Sequence, residues 1–335
     1  IVNNKKINSH IIGMGYYAPE NIIDNEYFTQ YMDTSDEWIS ERTGIKQRRF
    51  VNPGQGPADI AIPAVEMALN NAKLTVNDID FIIFSTSTPD YYIPGSGCIL
   101  QEKMNFPTIG ALDIRNACSG YIYALSIADQ FIKSQTYNNI LVVTAEVQST
   151  LMNLTNTGRN TSVIFGDGAA ATILSATELD EGILSTHLHS EGKYLNELWV
   201  ESPSSKSKPM LSKEILDQEK HYLKMNGKEV FKHAVKRFPE VIIEALEHNN
   251  LDVNDIDLLI PHQANVRISK MIQKKLGLSD NQVISNIHNY GNTTSASIPI
   301  ALCETINNDK LCKGDTLVLA AFGSGFSWGS VILKW

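Results

Sequence analysis

Residues 74–83 read L-T-V-N-D-I-D-F-I-I, and residues 251–260 read L-D-V-N-D-I-D-L-L-I. Seven of these ten positions match, at an offset of 251 − 74 = 177 residues. In each copy a polar turn feeds a short apolar run, which suits a buried strand. Each copy also follows a helical stretch with Ala-Leu at matching places, 68–69 and 245–246. A second echo has nearly the same offset: I-L-V-V-T-A at 140–145 and T-L-V-L-A-A at 316–321. Two echoes in register point to two similar halves.

Outward from the repeat, each half alternates helices with buried strands. The first half predicts a helix over 57–72, a strand over 80–86, a helix over 95–104, a strand over 109–114, a helix over 118–134 and a strand over 139–146. The second predicts a helix over 227–249, a strand over 256–260, a helix over 264–276, a strand over 282–286, a helix over 293–308 and a strand over 315–321. Such alternation implies an α/β fold with mixed or parallel sheets. The halves are taken as 1–175 and 176–335. Residues 194–224, with S-P-S-S-K-S-K-P and no clear period, read as an excursion or flap.

The length of 335 residues exceeds what one core usually supports, which agrees with two units. Apolar residues make up 43% and charged residues 19%, the balance of a soluble globular protein. The apolar runs are too short to span a bilayer. The stretch I-V-N-N-K-K-I-N at the N-terminus has no apolar core, so no export signal is expected. The four cysteines are Cys98, Cys118, Cys303 and Cys312, with no C-x-x-C pair. That is no disulfide framework, and a reducing cytoplasm is expected. A net charge of −9 argues against nucleic-acid binding.

Cys118 lies in D-I-R-N-A-C-S-G, where a buried strand turns into an apolar helix. Most cysteines are inert core residues, and Cys98, Cys303 and Cys312 are read that way. At a helix N-terminus, however, unpaired N–H groups and the dipole favour thiolate, so a lowered pKa is expected at Cys118. His262, in L-L-I-P-H-Q-A-N, directly follows the strand of the second repeat. It therefore sits at a strand's C-terminal edge, where open α/β sheets place their sites. His187 and His189 form H-x-H on one strand face, too few ligands for a metal, and are read as structural. Asn292, in H-N-Y-G-N-T-T-S-A-S, taken alone reads as a helix cap. The repeat register puts it near the counterpart of Cys118, so two equivalent helix starts would face each other with His262 between them. The stretch A-F-G-S-G-F-S-W-G at 321–329 has no helix after it, which weakens a nucleotide-loop reading. A tight turn presenting backbone N–H groups to a substrate oxygen fits better. The order Cys, His, Asn also occurs in papain-like proteases, but C-G-[SA]-C-[WY] is absent around Cys118 and duplicated α/β halves do not suit that fold.

At these motifs the chain resembles the β-ketoacyl-acyl-carrier-protein synthase III family of the thiolase superfamily. The markers are T-S-D-E-W-I-S-E-R-T-G-I at 34–45, the Cys118 motif, F-G-D-G-A at 165–169, M-N-G-K-E-V-F-K at 225–232, H-Q-A-N-V-R-I at 262–268, Y-G-N-T-T-S-A-S at 290–297 and the 322–329 loop. The resemblance implies a thiolase-like five-layer αβαβα fold with internal duplication, in homodimers. It implies a catalytic set of Cys118, His262 and Asn292. It also implies an oxyanion hole from the N–H groups of Cys118 and Ser324, where the family has glycine at 324. Trp38, Arg42 and Arg159 would grip coenzyme A, and Gly227, Phe231, Ala264 and Asn265 would line the pantetheine tunnel. An acyl-CoA primer would load on Cys118 and condense with malonyl-acyl-carrier protein. No cofactor or metal is implied beyond the coenzyme A thioester substrate. Lys232, Arg267, Lys274 and Lys275 offer the acidic carrier protein a basic face, although such a run is also an ordinary solvated helix face. Ile93, Lys228 and the long 194–224 segment depart from the family pattern. They leave open a related ketosynthase or acyltransferase of secondary metabolism, including non-decarboxylative Claisen condensation.

Overall fold

The structure is a computed structural model that describes residues 7–335; residues 1–6, most of the stretch read for an export signal, lie outside them. The described strands, in chain order, are β1 (Asn8–Tyr17), β2 (Asn21–Asp24), β3 (Gln47–Phe50), β4 (Phe81–Ser85), β5 (Gly110–Ile114), β6 (Asn139–Glu146), β7 (Gly168–Thr177), β8 (Gly182–Ser190), β9 (Leu198–Val200), β10 (Leu223–Met225), β11 (Leu258–Pro261), β12 (Thr316–Gly323) and β13 (Ser327–Lys334). Two sheets organise them, in the orders β1-β7-β6-β4-β5 and β11-β12-β13-β8. The central pairs β4/β6 and β11/β12 are parallel, and the flanking pairs β6/β7, β1/β7, β12/β13 and β8/β13 are antiparallel.

The duplication is visible residue by residue. Phe81 pairs with Ile140 in the first sheet, and Leu258 pairs with Leu317 in the second. Each partner in the second pair lies 177 residues after its counterpart (258 − 81 and 317 − 140). The echo at 140–145 and 316–321 is one residue out of this register. On a strand a slip of one puts every side chain on the opposite face, so strand pairing and not letter similarity fixes the alignment.

The sheets are separated and flanked by helices. Helices Gly120–Lys133 and Ser297–Asn307 lie between the sheets, and their buried faces share one core with β6, β11 and β12. Helices Pro57–Ala72 and Ser96–Lys103 cover the outer face of the first sheet. Helices Gly227–His248 and Val266–Leu276 cover the second. The result is the expected five layers, αβαβα. Helix Pro57–Ala72 shows why its sequence folds this way. Proline stands at its first position, Asp59 accepts the Gly56 N–H at 2.8 Å, and Ile60, Ala61, Ala64, Val65, Ala68 and Leu69 form a buried stripe. A Cβ on Gly15 of β1 would fall 2.2 Å from the Ala64 carbonyl oxygen, so glycine there lets the helix lie directly on the strand.

The predicted strand over 282–286 does not form. Val283 makes a single bridge to Leu259, after which the Asn286 N–H turns to the Gln263 side chain and ends the pairing. Residues 194–224 do leave the layers, carrying the small β9/β10 sheet. A like excursion, unforeseen from the sequence, lies between β1 and helix Pro57–Ala72 and carries the β2/β3 sheet.

Candidate active site

Two short 3-10 turns, Ala117–Ser119 and Thr294–Ala296, stand 177 residues apart and lead into the two central helices. They pack against each other. The first residue of each is in the left-handed region, Ala117 at φ 44° and Thr294 at φ 54°. For a non-glycine residue this is uncommon, and for a β-branched residue it is an outlier that clusters at functional sites. The register makes Ser295, not Asn292, the counterpart of Cys118.

Cys118 sits against the end of β12: a Cβ on Gly323 would fall 2.5 Å from its own Cβ. The turn between β12 and β13 is pinned to the cysteine's turn by Ser119 Oγ and Ser327 Oγ, 2.6 Å apart, and Ser327 Oγ donates to the Ser324 carbonyl at 2.8 Å. The backbone N–H groups of Cys118 itself and of Ser324 both reach the sulfur. Cys118, Ser324 and Thr294 form part of the wall of a cavity of about 1020 Å³, together with Asn116, Gln148 and Leu198.

The expected thiolate is not what this environment favours. Burial, then the charge of Glu146, push the Cys118 thiol up to about 12, and the two backbone N–H groups only partly oppose them. The magnitudes explain the correction. A helix N-terminus stabilises an anion by at most about 2 kcal/mol. Raising a thiol to about 12 corresponds to roughly 4 kcal/mol. Glu146 ends β6 wholly buried, and burial also raises its own pKa. It accepts hydrogen bonds from Ser295 Oγ at 2.6 Å, Ser87 N–H at 3.0 Å, Ser87 Oγ at 2.7 Å and Gln148 Nε2 at 3.1 Å.

His262 follows β11, and its N–H donates to the Ala320 carbonyl of β12 at 2.8 Å. That fixes it at the same strand end as Cys118. His262 is 2% exposed, and burial holds its pKa down at about 3, so the imidazole is neutral. Its Nδ1 lies 2.6 Å from Ser297 Oγ, while its buried Nε2 has no partner. Asn292 bridges to Phe165, with its N–H on the Ile164 carbonyl at 2.9 Å. Its side-chain Oδ1 accepts the Thr294 N–H at 2.8 Å, and Nδ2 has no acceptor among the described residues. His262 and Asn292 are thus buried, while Cys118 opens on the cavity.

The other predicted residues gather in two places outside that cavity wall. Arg42 and Arg159 set their guanidinium carbons 4.5 Å and 4.7 Å from the Trp38 ring centroid. Asn265 caps helix Val266–Leu276 and donates from Nδ2 to the Arg42 carbonyl at 2.9 Å, and Ala264 precedes it half-buried. Gly227 and Phe231 stand on the first turn of helix Gly227–His248, Gly227 exposed and Phe231 half-buried. Among the basic residues, Lys274 is exposed, Lys232 bonds Glu229 at 3.1 Å, and Lys275 bonds the Val235 carbonyl at 2.7 Å. Arg267 donates to the Glu41 carbonyl at 2.8 Å and so fastens the Trp38 helix. His187 and His189 both face Glu244, at 3.3 Å and 2.7 Å.

Sequence reasoning missed Glu146, Ser297 and Thr294. A carboxylate closing the apolar run L-V-V-T-A-E was the available signal for Glu146. For Ser297 and Thr294 the only signal was the hydroxyl-rich start of a helix.

A family model described as "3-Oxoacyl-[acyl-carrier-protein (ACP)] synthase III" matches residues 112–192, and one described as its C-terminal part matches residues 246–335. The chain is 45% identical to the β-ketoacyl-[acyl-carrier-protein] synthase III of Clostridioides difficile, over 97% of this chain and 98% of that one. It is 42% identical to the enzyme of the same name from Clostridium perfringens, over 98% and 99% of the two chains. Among solved structures, the 3-oxoacyl-[acyl-carrier-protein] synthase III of Aquifex aeolicus superimposes with a TM-score of 0.90 at 39% identity, covering 98% of this chain and all of that one. With its layered duplicated fold and its buried cysteine turn, the chain belongs to the 3-oxoacyl-[acyl-carrier-protein] synthase III family.

Proposed function

We propose that this chain initiates fatty-acid synthesis by condensing an acyl-CoA primer with malonyl-acyl-carrier protein. Cys118 sulfur attacks the primer thioester carbonyl. The tetrahedral oxyanion is held by the N–H groups of Cys118 and Ser324. Coenzyme A leaves carrying the thiol proton, and the acyl group stays on sulfur. In the second half the malonyl C–CO₂ bond breaks and its electron pair forms a thioester enolate, stabilised by hydrogen bonds from His262 Nε2 and Asn292 Nδ2. The enolate carbon attacks the acyl-Cys118 carbonyl, and collapse expels the Cys118 thiolate with the 3-oxoacyl product. Loss of one such donor typically removes about 2.7–4 kcal/mol of transition-state stabilisation. A covalent intermediate gives ping-pong kinetics.

The observation that carries the reading is the pair of N–H groups on the Cys118 sulfur, together with His262 Nε2 and Asn292 Nδ2, both without partners among the described residues. Trp38, Arg42 and Arg159 are the proposed grip on the adenine and phosphate end of coenzyme A, and Gly227, Phe231, Ala264 and Asn265 the walls of the pantetheine path. The chemistry needs no metal or redox cofactor. Lys232, Arg267, Lys274 and Lys275 form the proposed carrier-protein face. Because Arg267 also fastens the Trp38 helix, the clean probe of docking is Lys274→Glu. It should raise KM for malonyl-carrier protein and leave acyl transfer from coenzyme A unchanged. We further propose a homodimer acting in the cytoplasm, the four cysteines all being free. Intact-protein mass spectrometry tests the whole scheme. An acyl-CoA should leave one acyl adduct that Cys118→Ser abolishes, and malonyl-carrier protein should then discharge it with release of CO₂. No adduct, or discharge without CO₂, would overturn the reading.

A further inference from the structure

We infer that Ser297 sets the tautomer of His262, holding the ring proton on Nε2 so that this atom is a donor toward the reaction centre. The inference rests on the reading of His262 as a donor to the enolate, and it names the residue that makes donation possible.

The argument is a count of protons. A serine hydroxyl carries one proton and two lone pairs. Ser297 Oγ accepts the Gln263 backbone N–H at 3.2 Å, and its only other partner among the described residues is His262 Nδ1 at 2.6 Å. With one lone pair taken by an N–H, the hydroxyl proton has a single acceptor in reach, the Nδ1 lone pair. Were Nδ1 protonated instead, the serine proton would have no acceptor in a site where both residues are 2% exposed. An unmade hydrogen bond there carries the full desolvation penalty of the hydroxyl. Burial keeps the imidazole neutral, so it carries one ring proton, which must then be on Nε2. Nε2 is the buried ring atom that no protein group satisfies. Asn292 is fixed by the same device: the Thr294 N–H occupies its oxygen end and leaves its amide hydrogens outward. Both bonds come from the second turn and the helix it starts, so one element aims both donors.

Ser297 is a positioning residue, since it touches His262 and not the cavity wall. Histidine-selective ¹⁵N labelling of the full chain, with the His262 signals assigned by their loss in His262→Gln, reads the tautomer directly. The expected result is protonated Nε2 and bare Nδ1 in the wild type, with a shift toward the other tautomer in Ser297→Ala. In steady-state condensation, Ser297→Ala should lower kcat about 10- to 100-fold with KM for malonyl-carrier protein within about twofold, and Ser297→Thr should restore kcat. A proton on Nδ1 in the wild-type protein overturns the inference, whether or not the alanine variant folds. So does a Ser297→Ala kcat equal to that of the wild type. Condensation by His262→Gln at the wild-type rate, with the wild-type ring proton found on Nε2, would instead sink the catalytic reading beneath it.

Discussion

At Cys118 two opposing influences act on one sulfur, and the larger one decides the resting state. Two N–H groups favour the anion, while burial and Glu146 favour the thiol. Alkylation of Cys118 by iodoacetamide, followed by intact mass, should therefore accelerate about tenfold per pH unit from pH 7 to 9, as expected for a thiol far below its titration point. A plateau below pH 7 would contradict this. Glu146→Gln removes a negative charge beside the sulfur, so its alkylation profile should move to lower pH. His262 carries the opposite sign of lesson. Its imidazole titrates at about 3 when folded and near 6.5 when unfolded, so the unfolded chain binds the extra proton between those values. Stability from this residue is complete above about pH 6.5 and falls as pH drops toward 3. His262→Gln should lose less unfolding free energy than the wild type between pH 6.5 and 4.5, by roughly 2 kcal/mol in urea titrations. Cys118 and His262 were legible because each follows a buried strand in a short motif, and Asn292 because its motif precedes a helix start near the counterpart of the cysteine turn. Glu146 and Ser297 were not, because their partners lie 149 and 35 residues away and only the fold brings them together.

The paired turns are the element on which the site is built. Gly323 is where the second sheet touches the first turn, and its missing side chain is the space Cys118 occupies. Gly323→Ala should block acyl loading while the far-ultraviolet circular dichroism spectrum stays that of the wild type. Loading at the wild-type level would show that the strand end gives way. Helices and central strands were readable from periodicity, since their apolar stripes are long. The strand over 282–286 was not, because Asn286 diverts the backbone after one bridge, a tertiary event without a local mark. The small β2/β3 and β9/β10 sheets escaped notice for a related reason. Their strands are three or four residues long, too short to show a period.

For the whole molecule, the proposed homodimer has a candidate surface near the cavity mouth. Tyr91, Tyr92 and Ile93 are 63%, 54% and 80% exposed, and Tyr91 and Tyr92 belong to the cavity wall. Beside them β5 is an edge strand with one side unpaired in the sheet, which soluble proteins seldom leave open. Light scattering should give the mass of two 37.2 kDa chains, and Tyr92→Glu with Ile93→Glu should shift it toward one. A monomeric wild-type protein would remove the case for the homodimer.

The two excursions leave the duplicated unit at the same joint, between its first strand and its first long helix. One carries Trp38 and Arg42, and the other carries Leu198, Trp199 and Leu223 of the cavity wall. On the proposed function, the coenzyme A handle and its acyl cargo would meet separate excursions of one duplicated unit. Under the proposed reading, edits within residues 191–226 reshape one side of the cavity, whose other side is built by Tyr91, Tyr92 and Gln148, and leave the Trp38 grip in place.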